Sequence, residues 1–232
     1  KIIYAGLYWG AILQSGSRTT INKIKLKLPG GAYNDITGSV IYDAIASPIN
    51  ALTGEPKNTP YVCYADVTSI ISSLSTAQGT YTVANVISNE GTNNSTGLSA
   101  GWNLFIVYED PNLPSKSITS FDGFSSIYDD KTLSITISGF ITPPSGLVNV
   151  EYAFAGLEGD KTEVGSKTEI NGKAITTAER PSNRFFNSTI NNLTGYFTQR
   201  NPNGSNTLGF DDEIFNIPNP NHSVVGTSVT SA

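Results

Sequence analysis

The chain has 232 residues, a formal net charge of −5 and a pI near 4.8. Binding to nucleic acid needs clustered Lys and Arg, no basic run occurs, and nucleic acid is therefore excluded as a partner. No stretch of about 18 apolar residues is present, so the chain is not expected to span a membrane. Only 14% of the residues are charged, and surface polarity rests on Ser, Thr, Asn and Gly, a balance that suits secreted or cell-surface β-proteins.

In chain order, short runs of β-branched and aromatic residues are bounded by Gly, Pro, Asn and Asp. They predict strands at IIYAGLYW (2–9), IKLKL (24–28), SVIYDAI (39–45), TYTVANVI (80–87), NLFIVY (103–108), SITSF (117–121), TLSITI (132–137), VNVEYAFA (148–155) and FFNSTI (185–190). The alternation in KIKLKL (23–28) puts its lysines on an outer face. In TLSITI, Leu133, Ile135 and Ile137 share one face and Ser134 and Thr136 the other, as in a half-buried strand. One segment departs from this period: DVTSIISSLSTAQG (66–79) spaces Val67, Ile70, Ile71 and Leu74 as a helix does, with Asp66 as N-cap and Gly79 as stop. A short helix is predicted near 66–77. The segment 156–183, rich in Gly, Lys, Glu and Thr, reads as a long excursion or mobile hairpin, and 199–207 (QRNPNGSNT) as a loop. No linker or repeat is evident. The expected fold is all-β, a single jelly-roll-like β-sandwich domain spanning 1–232. Strand-like patterns at both ends, KIIYAGLYWG and SVVGTSVTSA, predict a fragment of a much longer chain.

The residues limit the available chemistry. Cys63 is the lone cysteine, so no disulfide closes within the chain, and its apolar setting in YVCYAD reads as core. The lone histidine, His222, sits in the loop PNPNHSV, which argues against a His-based triad, and zinc would need several His or Cys ligands. Calcium, which takes oxygen ligands, has three acidic clusters to choose from: Asp129 and Asp130, Glu158 and Asp160, and Asp211, Asp212 and Glu213. The third is the candidate metal site, because Phe210 and Phe215 flank it and fix its backbone. Glu109 and Asp110 follow an apolar run, but neighbours on a strand point to opposite faces, and Asp110 before Pro111 starts a turn. A glycosidase pair would therefore need Glu109 with a distant acid such as Asp122. No catalytic residue is assigned. Trp9, Tyr33, Trp102, Tyr128 and Tyr196 are the pool of rings for sugar stacking; Trp9 and Trp102 read as core, while Tyr33 and Tyr128, in turns, are the candidate ligand-binding residues.

The block AGWNLFIVYEDPNLPSKSITSFDGF (100–124) stands together with AGLYWG (5–10), YADVT (64–68), GTYTVANV (79–86), SGFITPPSG (138–146), EGD (158–160), FFNSTI (185–190) and LGFDDEIF (208–215). Together these motifs resemble a domain of very large secreted bacterial cell-surface adhesins, the family of the SprB-type gliding-motility adhesins of the Bacteroidota. The resemblance implies export by type IX secretion, with the secretion machinery as a transient partner. It also implies an extracellular, outer-membrane-associated location and a non-enzymatic role in surface attachment or gliding motility, with a surface or polysaccharide as ligand. It offers no catalytic motif to carry over, and relatives continue with further strands after the GFD…IF motif. The alternatives are a carbohydrate-binding module with a structural calcium and, behind it, a glycoside hydrolase.

Overall fold

The computed structural model describes residues 1–46, 59–91, 97–127 and 131–227. The fold is all-β and groups into two compact units, Lys1–Ser115 with Phe121–Thr136, and Lys116–Ser120 with Ile137–Ala232.

The first unit is a two-sheet sandwich. Strands β1 (Ile2–Ile12), β4 (Ser39–Asp43), β5 (Pro60–Asp66) and β7 (Ala100–Tyr108) form a sheet in the order β4-β5-β1-β7. Strands β2 (Lys23–Lys27), β3 (Tyr33–Thr37) and β6 (Thr82–Ala84) form a second, β3-β2-β6. All the pairings are antiparallel. Period-two alternation turns Ala5, Leu7, Trp9 and Ala11 of β1 inward with Tyr61, Cys63 and Ala65 of β5, against Ile24 and Leu26 of β2 and Ile36 of β3. Trp9 lies opposite Cys63 on one side and Trp102 on the other. Its Nε1 donates to the Ile21 carbonyl at 2.8 Å, and the Tyr61 hydroxyl donates to the Ile87 carbonyl at 2.7 Å, so both buried rings satisfy their polar tips. The Cys63 thiol is buried, which pushes it up to about 12.

The helix is shorter than its periodicity suggests: α1 spans Thr68–Ser72. Ile71 is buried in the core, but Ser72 and Ser73 turn their hydroxyls back onto the carbonyls of Ser69 and Ile70, which competes with helix extension. Asp66 still shapes the start, as Oδ1 accepts from the Thr68 N–H at 2.8 Å.

In the second unit, β8 (Val150–Leu157), β11 (Ile190–Asn192), β12 (Gly195–Tyr196) and β13 (Phe210–Ile217) form a sheet in the order β12-β11-β13-β8, with β11 and β13 parallel. The hairpin β9 (Glu169–Ile170) and β10 (Lys173–Ala174) turns at Asn171 and Gly172, at φ 51° and 71°. Both are positive, as a tight two-residue hairpin turn requires. It lies within the predicted 156–183 excursion. An aromatic core forms from Phe154, Phe185, Phe186, Tyr152 and Phe215, with ring centroids 5.3–6.0 Å apart.

Two predicted strands are absent. SITSF and TLSITI carry no ladder, and Ile135 and Ile137 are 66% and 46% exposed rather than packed. Alternation fits a side-chain set to a pleat; it supplies no partner strand, and among the described residues none pairs with these segments. FFNSTI is strand only from Ile190: the N–H groups of Phe185 and Phe186 go instead to the carbonyl and hydroxyl of Ser166.

Candidate functional site

On β1 the residues between the inward set are Tyr4, Gly6 and Tyr8. They face outward with Tyr64, opposite Tyr8 on β5, and with Asn103, Phe105 and Val107, opposite Tyr8, Gly6 and Tyr4 on β7. At Gly6 a β-carbon would lie 2.9 Å from both Tyr4 Cζ and Tyr8 Cε2, and its absence lets the two phenols lean together. Tyr4 Oη and Tyr8 Oη are 3.1 Å apart, and Tyr4 Oη donates to Tyr64 Oη at 3.2 Å. Tyr8 donates to Oδ1 of Asp122, brought over this face by the segment 121–127. The Tyr8 and Tyr64 rings sit 4.9 Å apart, and Phe124 stacks on Tyr42 of β4 at 4.3 Å with an interplanar angle of 6°. Burial, then hydrogen bonding to Asp122 and Tyr4, raises the Tyr8 phenol far above its ordinary range; burial and Tyr4 raise Tyr64 likewise. The phenols therefore stay protonated and act as donors.

Phe105 belongs to this outer face, 6.5 Å from Tyr4, while Trp102, Leu104 and Ile106 of the same strand pack on the core. Glu109 and Asp110 close the strand. The Glu109 carbonyl accepts from the Lys1 amino group at 2.9 Å, and Asp110 Oδ1 accepts from the Asn112 N–H at 2.9 Å. Asp122, the acid considered as a partner for Glu109, is held by Tyr8.

The acids singled out at 211–213 lie on β13, where alternation separates them: Asp211 and Glu213 turn into the core and Asp212 turns away. The two buried carboxylates meet Arg180, whose side chain is fully buried. Arg180 Nη1 donates to Asp211 Oδ1 at 2.7 Å and to the Phe185 carbonyl at 2.6 Å, Nη2 donates to the Thr189 carbonyl at 2.8 Å, and Nε donates to Glu213 Oε2. The guanidinium also lies 5.0 Å from the centroid of Phe154. Asp211 Oδ1 collects the N–H groups of Asn187 and Thr189 as well, at 3.0 and 3.2 Å, while its Oδ2 is buried without a hydrogen bond against Gly159. Burial raises Glu213 above the usual carboxylate range despite Arg180. The arrangement braces the parallel β11–β13 pair, and a cation seated on Asp211 and Glu213 would have to displace the guanidinium. Among the described residues no three His, Cys, Asp or Glu side chains gather as metal ligands.

The remaining candidates are dispersed. Tyr33 is 47% exposed on β3, with Lys27 Nζ 6.0 Å from its ring centroid and the Lys25–Asp35 pair on the same outer face. Tyr128, Asp129 and Asp130 lie outside the described residues. Trp9 is buried, and Trp102 packs beside it. Tyr196 accepts from Arg200 Nη2 at 2.9 Å within the 199–207 loop region. Asp160 Oδ1 caps its own turn through the Thr162 N–H at 2.8 Å. His222 is exposed, with Nε2 2.7 Å from the Gly146 carbonyl. The sequence reading passed over Tyr4, Tyr8 and Tyr64 because they fall inside strand-like runs; the signal was the Tyr-Gly-Tyr alternation out of phase with Ala5, Leu7 and Trp9. Arg180 has no local signal, because its two carboxylate partners lie 31 and 33 residues away.

No family model, no curated protein and no solved structure matches the chain.

Proposed function

We propose that the chain is a non-enzymatic module of an exported bacterial adhesin, working at the cell surface in attachment or gliding motility and meeting a surface or polysaccharide through the outer face of the β4-β5-β1-β7 sheet. The observation that carries this reading is the convergence of Tyr4, Tyr8, Tyr64 and Asp122 on an outer sheet face rather than in a cleft between two acids. Where two carboxylates do converge, at Asp211 and Glu213, they hold a buried arginine and give a reactant no access. A mechanical role also suits β1, which is hydrogen-bonded along most of its length to β5 on one side and β7 on the other. Pulling it out would shear two ladders at once.

The test is display and adherence. Antibodies to the chain are expected to label intact cells of its source, and coated beads are expected to adhere to polysaccharide-bearing surfaces. Label confined to permeabilised cells would refute the reading. The alternative with a structural calcium predicts a lower melting temperature after chelation; an unchanged melt removes it.

A further inference from the structure

We propose that the outer face of the β3-β2-β6 sheet binds a linear anionic polysaccharide, whose carboxylate or sulfate groups follow the ammoniums of Lys23, Lys25 and Lys27. This goes beyond the surface-module reading: it adds a contact face on the first unit's other sheet and names its ligand. Strand β2 turns Ile24 and Leu26 into the core, so its three lysines project together from the opposite side. A strand rises about 3.3 Å per residue, which sets these lysines about 6.6 Å apart in one row. A small anion can meet one or two of them, whereas a regularly charged polymer lying along β2 meets all three. Antiparallel pairing sets Thr37, Asp35 and Tyr33 of β3 opposite Lys23, Lys25 and Lys27, and Ala84 and Thr82 of β6 opposite Lys25 and Lys27.

Two observations point this row at a ligand. The first is charge. The three strands carry three lysines against one aspartate, net +2, in a chain whose total is −5. The remaining residues therefore carry −7 and repel a polyanion, which orients it onto this sheet. Among the described residues only one of the three lysines has a carboxylate partner: Lys25 Nζ lies 2.6 Å from Asp35 Oδ1. The Asp35 side chain is 84% exposed, and a pair held in water opens readily for a competing anion. The second observation is the ring beside the row. Tyr33 is 47% exposed and Lys27 Nζ stands 6.0 Å from its centroid, so a flat stacking surface for a sugar adjoins the cations. The other outward neighbours, Thr37, Thr82 and Ala84, are small, and no large aliphatic side chain of these strands faces out to enter a bilayer, which favours a polysaccharide over a lipid surface. A net +2 neutralises too few phosphates to favour nucleic acid.

Chromatography of the full chain on immobilised polygalacturonate and dextran sulfate tests this, with immobilised dextran as the neutral arm. At low ionic strength at least one polyanion is expected to retain the chain and dextran is not, and added salt should release it as the exposed charges are screened. The triple change Lys23→Gln, Lys25→Gln and Lys27→Gln keeps most of each side chain and should abolish retention. As a control, Lys131→Gln, Lys167→Gln and Lys173→Gln remove three exposed lysines outside this sheet, change the net charge equally, and should leave retention intact. Asp35→Asn frees Lys25 and should raise the salt needed for elution, while Tyr33→Leu keeps every charge and should lower it. Trp fluorescence should give the stripe variant the wild-type unfolding midpoint; Asp35→Asn, at an exposed side chain, keeps the test open should it not. No retention by either polyanion, equal retention by dextran, equal loss in the two triple variants, or unchanged elution of Asp35→Asn overturns the site. Binding to phosphatidylglycerol vesicles or to poly-dT in place of the polysaccharides does so too. Labelled intact cells together with an unretained chain would overturn this site alone, whereas a retained chain with label confined to permeabilised cells would overturn the surface-module reading alone.

Discussion

Gly38 shows how a single missing side chain sets a core. A β-carbon there would lie 2.5 Å from Trp9 Cη2 and would collide with the Tyr64 carbonyl. Neither neighbour can yield: the carbonyl is in the β4–β5 ladder region, and the indole is clamped by the hydrogen bond from its Nε1 to Ile21 at 2.8 Å. Gly38→Ala is therefore an overpacking change and is expected to destabilise the first unit by about 1–3 kcal/mol. Urea unfolding followed by tryptophan fluorescence reads it directly, since Trp9 and Trp102 are the chain's two tryptophans and both belong to this unit. An unchanged midpoint would mean that the indole moves aside. The sequence could reveal that Trp9 is core, from its place in an alternating run; it could not reveal that Gly38, 29 residues on, is the surface the indole rests against.

At the scale of elements, legibility follows how local the determinants are. Strands β1, β2, β4, β7 and β8 were readable because each carries its own period, and the lysine-lined outer face of β2 follows from the same alternation. TLSITI has the same period but no ladder, and α1 has the helical spacing but stops at Ser72 where hydroxyls compete for the carbonyls. Strand β13 was read as an acidic patch because Asp211, Asp212 and Glu213 mask its alternation; Arg180, with the N–H groups of Asn187 and Thr189 on Asp211, makes two of those acids tolerable inside. One guanidinium facing two carboxylates has a consequence for pH. Glu213 is raised by burial, so the folded state favours its protonated form. The associated stability is present below the ordinary carboxylate range and is lost as pH rises through the raised value. Replacing Glu213 with Gln removes that titration while keeping an oxygen for Arg180. As pH rises from the normal glutamate value of about 4.3 through the raised value, the wild type should lose melting temperature relative to Glu213→Gln. Parallel curves across that range would show that Glu213 is ionised throughout.

For the whole molecule, the organising fact is that the described residues gather into two hydrophobic cores. Trp9, Tyr61 and Leu26 anchor the first, and Phe185, Phe215 and Ile217 the second. The charge brace belongs wholly to the second. Arg180→Met fills a similar volume but leaves Asp211 and Glu213 buried with no cation. Breaking a buried pair in this way is expected to destabilise by about 3–5 kcal/mol, because the remaining charges stay desolvated. Amide hydrogen exchange on the intact chain locates the loss. Exchange should accelerate through β8, β11 and β13, where the carboxylates are anchored, while amides of β1 and β5 keep wild-type protection and the tryptophan-detected transition stays in place. Arg180→Lys should fall near Arg180→Met rather than near wild type, because an ammonium cannot span both carboxylates and the carbonyls of Phe185 and Thr189 with one planar fork. Acceleration spread evenly over both cores would show that the units unfold as one and that the brace stabilises the entire chain.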